Sequence, residues 1–183
     1  GNILHSKMHI NEWDNFDLQI SKLRKEINNK KKVITPFSLL SLIDDPKMHK
    51  DVAERHSKDN FPFSLNKGNI KPKLKDKINI GYFSADFINH ATLHLISDVF
   101  KNHNKSEFKI SAFSYGLRED KMTHKVSKYF HNFFDCKNLS DEEIASLSQK
   151  NNIHIAVDLK GYTLNSRAGI FYNNPAPIKI NYL

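Results

Sequence analysis

The spacing of apolar positions changes character partway along this chain, and the change divides it. From Gly1 to about Asn29, Leu4 and Met8, then Phe16, Ile20, Leu23 and Ile27, recur at helical spacing among polar neighbours. Trp13 and Phe16 flank a break, with Asp14 or Asn15 placed to cap the second helix. Lys30-Lys31-Lys32 and Thr35-Pro36 read as a connector, since a residue before proline avoids helical geometry. Phe37, Leu39, Leu40, Leu42 and Ile43 form a short apolar segment that ends at Asp44-Asp45-Pro46. The proline suits the first turn of another helix, running to about Lys58. Asp59 to Lys77 holds Pro62, Gly68, Pro72 and five lysines with little periodicity, the texture of a linker.

From Ile78 onward strand-like and helix-like runs alternate. Ile78, Ile80, Tyr82 and Phe83 predict a strand, and Ala91, Leu95, Ile96, Val99 and Phe100 one face of a helix. Phe108 to Tyr115 predicts a second strand, ended by Gly116, and Met122, Val126, Tyr129 and Phe130 a second helix. Phe133-Phe134 opens a short third strand. Ser140 with Glu143 is a capping box at the head of a helix containing Ile144 and Leu147. Ile153 to Leu159, Ser166 to Tyr172 and Ile178 to Leu183 predict strand, helix and strand. Five strands with short helical connections predict an α/β fold, a Rossmann-like, doubly wound, mainly parallel sheet preceded by a helical segment. The expected organisation is a helical segment over 1–58, a linker over 59–77 and the sheet domain over 78–183.

Composition narrows the class. Of 183 residues, 39% are hydrophobic and 26% charged, which suits a folded, soluble chain. No run of about 18 apolar residues occurs, so no membrane partner is expected. Gly1 to Lys22 carries no secretory pattern, and the single cysteine, Cys136, excludes an internal disulfide framework, so a reducing, cytoplasmic setting is expected. The net charge of +8 raises a nucleic-acid reading. Its distribution weakens that reading: residues 1–77 hold 16 basic against 10 acidic side chains, and residues 78–183 hold 12 against 10. Only four of the basic residues are arginine, the side chain best suited to phosphate and base contacts. The lysines read as solvated, and no nucleic-acid partner is expected.

In a parallel α/β sheet ligands sit at the carboxyl ends of the strands. The loops to read are therefore Ser84–Thr92, Tyr115–Lys121 and Lys160–Arg167. None carries a Gly-x-Gly-x-x-Gly or Gly-Lys-Ser/Thr pattern, which disfavours the common NAD and ATP enzymes. Asp86, Asn89, His90 and Thr92 bring carboxylate, amide, imidazole and hydroxyl to a helix entrance. That set suits a hydroxylated, partly anionic ligand, with Asp86 or His90 available for proton transfer. The plainer alternative is that Asp86 or Asn89 caps the helix. His90 and His94 are four apart, but position 91 is Ala, so the metalloprotease pattern fails and no metal is expected. Asp158-Leu159-Lys160-Gly161-Tyr162-Thr163 ends the fourth strand, with Arg167 following, either a tight turn or a place for close ligand approach. Cys136 reads as structural.

Ser84-Ala85-Asp86-Phe87-Ile88-Asn89-His90-Ala91-Thr92-Leu93-His94-Leu95 resembles the Ser-x-Asp-Phe-x-Asn-His-Pro-Thr-x-His-Leu motif of the O-GlcNAc transferase/SPINDLY glycosyltransferases. Lys160-Gly161-Tyr162-Thr163, then Arg167, and Pro175-Ala176-Pro177-Ile178 are similar to that family's Asn-Gly-Tyr-Thr, Arg and Pro-Ala-Pro-Ile segments, in the same order. Upstream, Thr35 to Pro46 is similar to the segment joining tetratricopeptide repeats to the catalytic part in bacterial members. The resemblance implies a GT-B arrangement of two Rossmann-like domains, of which 78–183 is the N-terminal one, and a helical segment that ends a tetratricopeptide region. It implies metal-independent, inverting transfer of N-acetylglucosamine from UDP-GlcNAc to Ser or Thr of a protein acceptor, with no cofactor beyond the donor.

The same resemblance implies catalytic roles for His90, in activating or orienting the acceptor, and for Asp86, as an alternative proton acceptor or electrostatic support. It implies ligand contacts for Asn89, Thr92, Gly161, Tyr162, Thr163 and Arg167. GDP-fucose is an alternative donor, and a non-catalytic binding domain an alternative of another class. Ala91 departs from the motif's Pro, and Pro36-Phe37 stand where animal members have a histidine pair, so no role transfers there. The family's second Rossmann domain, whose Lys and His contact the diphosphate, has no counterpart in these 183 residues, which are expected to show no transferase activity alone.

Overall fold

The computed structural model describes residues 1–61 and 77–182. The chain falls into two compact units, Gly1–Pro62 and Phe63–Leu183. The connector expected over 59–77 lies, from residue 62 to 76, outside the described residues. Asp59 and Asn60, expected within it, belong instead to the preceding helix.

The first unit holds four helices, α1 (Asn2–His9), α2 (Phe16–Asn28), α3 (Pro36–Leu40) and α4 (Pro46–Asn60). Leu4, Leu23, Ile27, Leu39, Leu42, Ile43, Met48 and Val52 form their common core, with Met8, Phe16 and Ile20 packed at its edge. Trp13 meets Phe16 edge-on at 5.3 Å across the break before α2. Asn15 is the residue preceding α2, but it caps nothing through its side chain: its φ is 54°, a left-handed value that Asn tolerates. Helix α4 starts as its sequence suggests, with Pro46 in the first turn and the Asp45 carboxylate accepting from the Met48 N–H at 3.0 Å.

The second unit is a five-stranded sheet, β1 (Ile78–Ser84), β2 (Phe108–Ser114), β3 (Asn132–Asp135), β4 (Ile155–Asp158) and β5 (Ile178–Asn181), in the order β3-β2-β1-β4-β5. Every neighbouring pair is parallel. Helices α5 (Ala91–Asn102), α6 (Lys121–Ser127), α7 (Asp141–Lys150) and α8 (Ala168–Tyr172) connect them. Strand residues point alternately to the two faces, which gives the sheet two cores. Ile80, Tyr82, Ile110, Ala112 and Val157 pack with Leu93, Ile96 and Phe100 of α5 and Val126 of α6. Phe83, Phe113 and Ala156 pack with Ile144 of α7 and Ile170 of α8. The aromatic-rich strands are thus near-continuous apolar runs because both faces are covered.

Three local features set the loop geometry. The capping box at α7 forms, with Ser140 Oγ accepting from the Glu143 N–H at 3.2 Å and Glu143 accepting from the Ser140 N–H at 2.7 Å. A second box, unforeseen from the pattern, joins Asp120 and Thr123 at the head of α6. At Gly116 any Cβ would run into the carbonyl oxygen of Ala85, so the loops after β1 and β2 approach each other only with glycine there.

His103 is half-buried and shares a 2.7 Å hydrogen bond with the Tyr82 hydroxyl. Burial holds its imidazole below the ordinary range.

Phe83 is fully buried and stacks on Phe113 at 4.4 Å with rings nearly parallel. Phe83→Ala is expected to destabilise the second unit by about 3–5 kcal/mol, measured by urea denaturation, because the sheet around the cavity cannot collapse to fill it.

Candidate functional site

Strands β1, β2 and β4 are in register such that Ser84 lies beside Ser114, and Phe83 lies beside both Phe113 and Asp158. Their carboxyl ends therefore finish level, and the three following loops emerge together. Between those loops lies a cavity of 720 Å³, lined among others by Asp86, His90, Tyr115, Arg118, Lys160 and Arg167. Asp86 and His90 come from the loop after β1, Tyr115 and Arg118 from the loop after β2, and Lys160 and Arg167 from the loop after β4.

Asp86 and Lys160 are the buried charges of this group, with side chains 9% and 6% exposed, and their Oδ2 and Nζ atoms are 2.5 Å apart. The backbone brings them together. The Ser84 hydroxyl accepts from the Asp86 N–H at 2.9 Å, and the Asp158 carboxylate accepts from the Lys160 N–H at 2.9 Å. Two short side-chain-to-backbone turns thus aim the two residues across the gap between β1 and β4. Removing one member of such a buried pair costs about 3–5 kcal/mol, because the other is left as an uncompensated charge. Beneath them, burial pushes the Asp158 carboxyl above the usual carboxylate range, against the pull of the Lys160 and Gly161 N–H groups. Burial also raises the Tyr115 hydroxyl well above its ordinary value, reinforced by the Asp158 charge.

His90 is the residue preceding α5, and its Nδ1 accepts from the Thr92 N–H at 3.2 Å. The same Nδ1 lies 3.5 Å from Asp86 Oδ2. Helix capping, expected of Asp86 or Asn89, is done by His90. Asn89 instead spans two elements: its N–H donates to Asp120 Oδ2 at 2.7 Å, and its amide oxygen is 2.7 Å from His94 Nε2.

Arg167 reaches the cavity with its guanidinium engaged. Its Nε and Nη2 both lie 2.7 Å from Asp141 Oδ1, Nη2 also donates to the Leu139 carbonyl at 2.7 Å, and the charge sits 5.6 Å from the Tyr115 ring centre. Despite this partner, burial leaves the Asp141 carboxyl above its ordinary range. Lys137, another lining residue, pairs with Asp135 at 2.8 Å.

Of the residues singled out from sequence, Asp86, His90 and Arg167 meet around the cavity. Asn89, Thr92, Gly161, Tyr162 and Thr163 are not among its lining. Gly161 adopts a φ of 53°, and the Thr163 hydroxyl and N–H both donate to the Lys160 carbonyl, at 2.8 and 3.0 Å. That segment forms the tight turn that presents Lys160. Tyr115 and Arg118 carried no sequence signal beyond their place in strand-end loops, and Lys160 stood only as the residue that departs from the asparagine of the Asn-Gly-Tyr-Thr segment. Cys136 is buried behind the sheet, where burial pushes its thiol up to about 12, in keeping with a structural role. Among the described residues no helix is long and apolar enough to cross a membrane, and no group of three or more metal-ligating side chains occurs.

Comparison with known proteins gives a consistent result. The family model described as glycosyl transferase family 41 matches residues 40–183. The chain is 34% identical over 110 residues to a probable UDP-N-acetylglucosamine–peptide N-acetylglucosaminyltransferase SEC of Arabidopsis thaliana, covering 58% of this chain and 11% of that protein. It is 34% identical over 115 residues to a UDP-N-acetylglucosamine–peptide N-acetylglucosaminyltransferase of Caenorhabditis elegans, covering 58% of this chain and 10% of that one. A probable enzyme of the same description, SPINDLY of Arabidopsis thaliana, is 30% identical over 117 residues, covering 60% and 13%. The chain thus spans about a tenth of the length of these curated relatives. A solved structure of a Thermobaculum terrenum O-GlcNAc transferase mutant superposes with a TM-score of 0.67 at 22% identity, covering 81% of this chain and 29% of that one. That likeness establishes the shared fold.

Asp120 holds the Asn89 end of the first loop, and its carboxyl lies below the ordinary range, chiefly because the Asn89 N–H donates to it. A carboxyl lowered in the folded state contributes stability that is complete above its unfolded value and lost as pH falls through the folded one. The Asn89 amide is therefore expected to stay protected from hydrogen exchange at neutral pH and to lose protection on acidification below the usual carboxylate range. In Asp120→Ala it is expected to be unprotected relative to the intrinsic exchange rate at every pH.

Proposed function

The chain belongs to glycosyl transferase family 41, and on that premise we propose that its cavity is the acceptor and sugar side of a protein O-GlcNAc transferase. The observation that carries the reading is the meeting of Asp86, His90 and Arg167, drawn from two different loops, around one cavity at the carboxyl ends of the strands. The proposed reaction takes N-acetylglucosamine from UDP-GlcNAc. A Ser or Thr hydroxyl oxygen of a protein attacks the anomeric carbon from the face opposite UDP. The carbon–oxygen bond to UDP breaks with its electron pair leaving on UDP, the hydroxyl proton passes to solvent, and the configuration inverts.

Each lining group has a task in this scheme. His90 orients the acceptor hydroxyl. Asp86, ionised beside Lys160, supplies electrostatic support for the positive charge that gathers at the anomeric carbon. Arg118, Lys137, Lys160 and Arg167 place cationic side chains around the cavity, which suits a negatively charged donor and a mechanism without a metal. In this reading the segment before residue 59 ends a tetratricopeptide region, and a second Rossmann-like domain completes the donor site.

The test is sugar transfer to Ser/Thr peptides by the full-length protein, with UDP-GlcNAc and GDP-fucose offered separately. Transfer from UDP-GlcNAc is the expected result. Transfer from GDP-fucose alone would reassign the donor, and binding of peptide without turnover of either donor would make this a non-catalytic domain. His90→Ala is expected to lower kcat/KM by about 10²-fold or more. An unchanged value would remove His90 from the reaction.

A further inference from the structure

Asp86 Oδ2 has two nitrogen neighbours, Lys160 Nζ at 2.5 Å and His90 Nδ1 at 3.5 Å. His90 Nδ1 is itself contested, since it accepts from the Thr92 N–H at 3.2 Å. A neutral imidazole nitrogen is either a donor or an acceptor. If Nδ1 carried the proton it would donate to Asp86 and abandon the cap of α5. If it carries the lone pair, that lone pair faces a carboxylate, which is tolerable only where the carboxylate charge is taken up elsewhere. The buried ammonium of Lys160 takes it up.

We infer that Lys160 is a positioning residue that sets the tautomer of His90: by holding Asp86 it keeps the His90 proton on Nε2. The ring then caps α5 through Nδ1 and offers a ligand a hydrogen-bond donor, with no basic lone pair. The charged and titratable groups sharing the cavity with this ring are Asp86, Tyr115, Arg118, Lys137, Lys160 and Arg167. Asp86 is the only carboxylate among them, so it alone could draw the proton to Nδ1. Lys160 stands at the first position of the Lys-Gly-Tyr-Thr segment, and an asparagine there would be shorter and neutral. With such a residue Asp86 would lose its charged donor, and His90 Nδ1 would become the nearest replacement. The tautomer assignment stands on this geometry. Its consequence, that His90 orients an acceptor oxygen as a donor, rests on the proposed function.

The experiment reads the ring directly, without any activity. Long-range proton–nitrogen NMR spectra of the 183-residue chain, recorded at about pH 9 so that imidazoles are neutral, distinguish protonated from bare ring nitrogens. The wild type is expected to show His90 protonated at Nε2, and Lys160→Arg to match it. Lys160→Asn is expected to shift the tautomer ratio about tenfold or more toward Nδ1–H, since a charge-assisted bond to Asp86 is lost. If Lys160→Asn loses the dispersed spectrum of the folded sheet, Lys160→Gln, which still offers Asp86 a neutral donor, is expected to move the ratio in the same direction. A wild-type ring protonated mainly at Nδ1 overturns the inference, as does an unchanged ratio in a folded neutral variant. Neither result bears on whether the full-length protein transfers a sugar.

Discussion

The position of β1 governs the second unit. It pairs with β2 on one side and β4 on the other, so the crossover through α5 leaves in one direction and the chain later returns to the opposite edge. A parallel sheet wound in both directions from one strand must part its loops at that strand, which opens a crevice there. The cavity at this point follows from strand order alone. At Gly116 the absence of a Cβ lets the loops after β1 and β2 come close.

Within that crevice the organising force is charge pairing at low exposure. Lys137 pairs with Asp135 where both side chains are exposed, but Lys160 and Arg167 are held at low exposure by Asp86 and Asp141. Each pair fixes the direction of a long side chain that would otherwise be mobile, and the most buried of them also decides what remains for His90. The overall charge of +8 has little part in this, because its excess lies mostly before residue 78. The cavity presents a patterned set of donors and not a diffuse basic surface.

Part of the site was legible because its residues sit where chain direction places ligands. Asp86, His90 and Arg167 lie in the loops after strands that short apolar runs make visible, and the folded loops bring them together. Asn89, Thr92, Gly161 and Thr163 belong to the same segments, lie outside the cavity lining and make contacts that shape the loops. Asn89 braces α6 and His94, Thr92 supplies the N–H that His90 caps, and Gly161 with Thr163 forms a turn. A motif marks a segment, but it does not separate the residues that line the cavity from those that shape the loop. Lys160 was the reverse case. It opens a recognisable segment, but its own task is not visible until a carboxylate 74 positions earlier is seen beside it.

The sequence by itself determined the order of strands and helices in the sheet domain, the parallel α/β class and the three loops in which chemistry can lie. Those properties come from local periodicity, capping residues and turn residues, which act over a few positions and are written in adjacent letters. Tertiary structure alone decided which side chains face one another: the Asp86–Lys160 pair, the choice of His90 over Asp86 or Asn89 as the cap of α5, and the tie between Asn89 and Asp120. These depend on the register of β1 with β4 and on how closely loops approach, distances set by packing across the whole sheet and carried by no single segment of the chain.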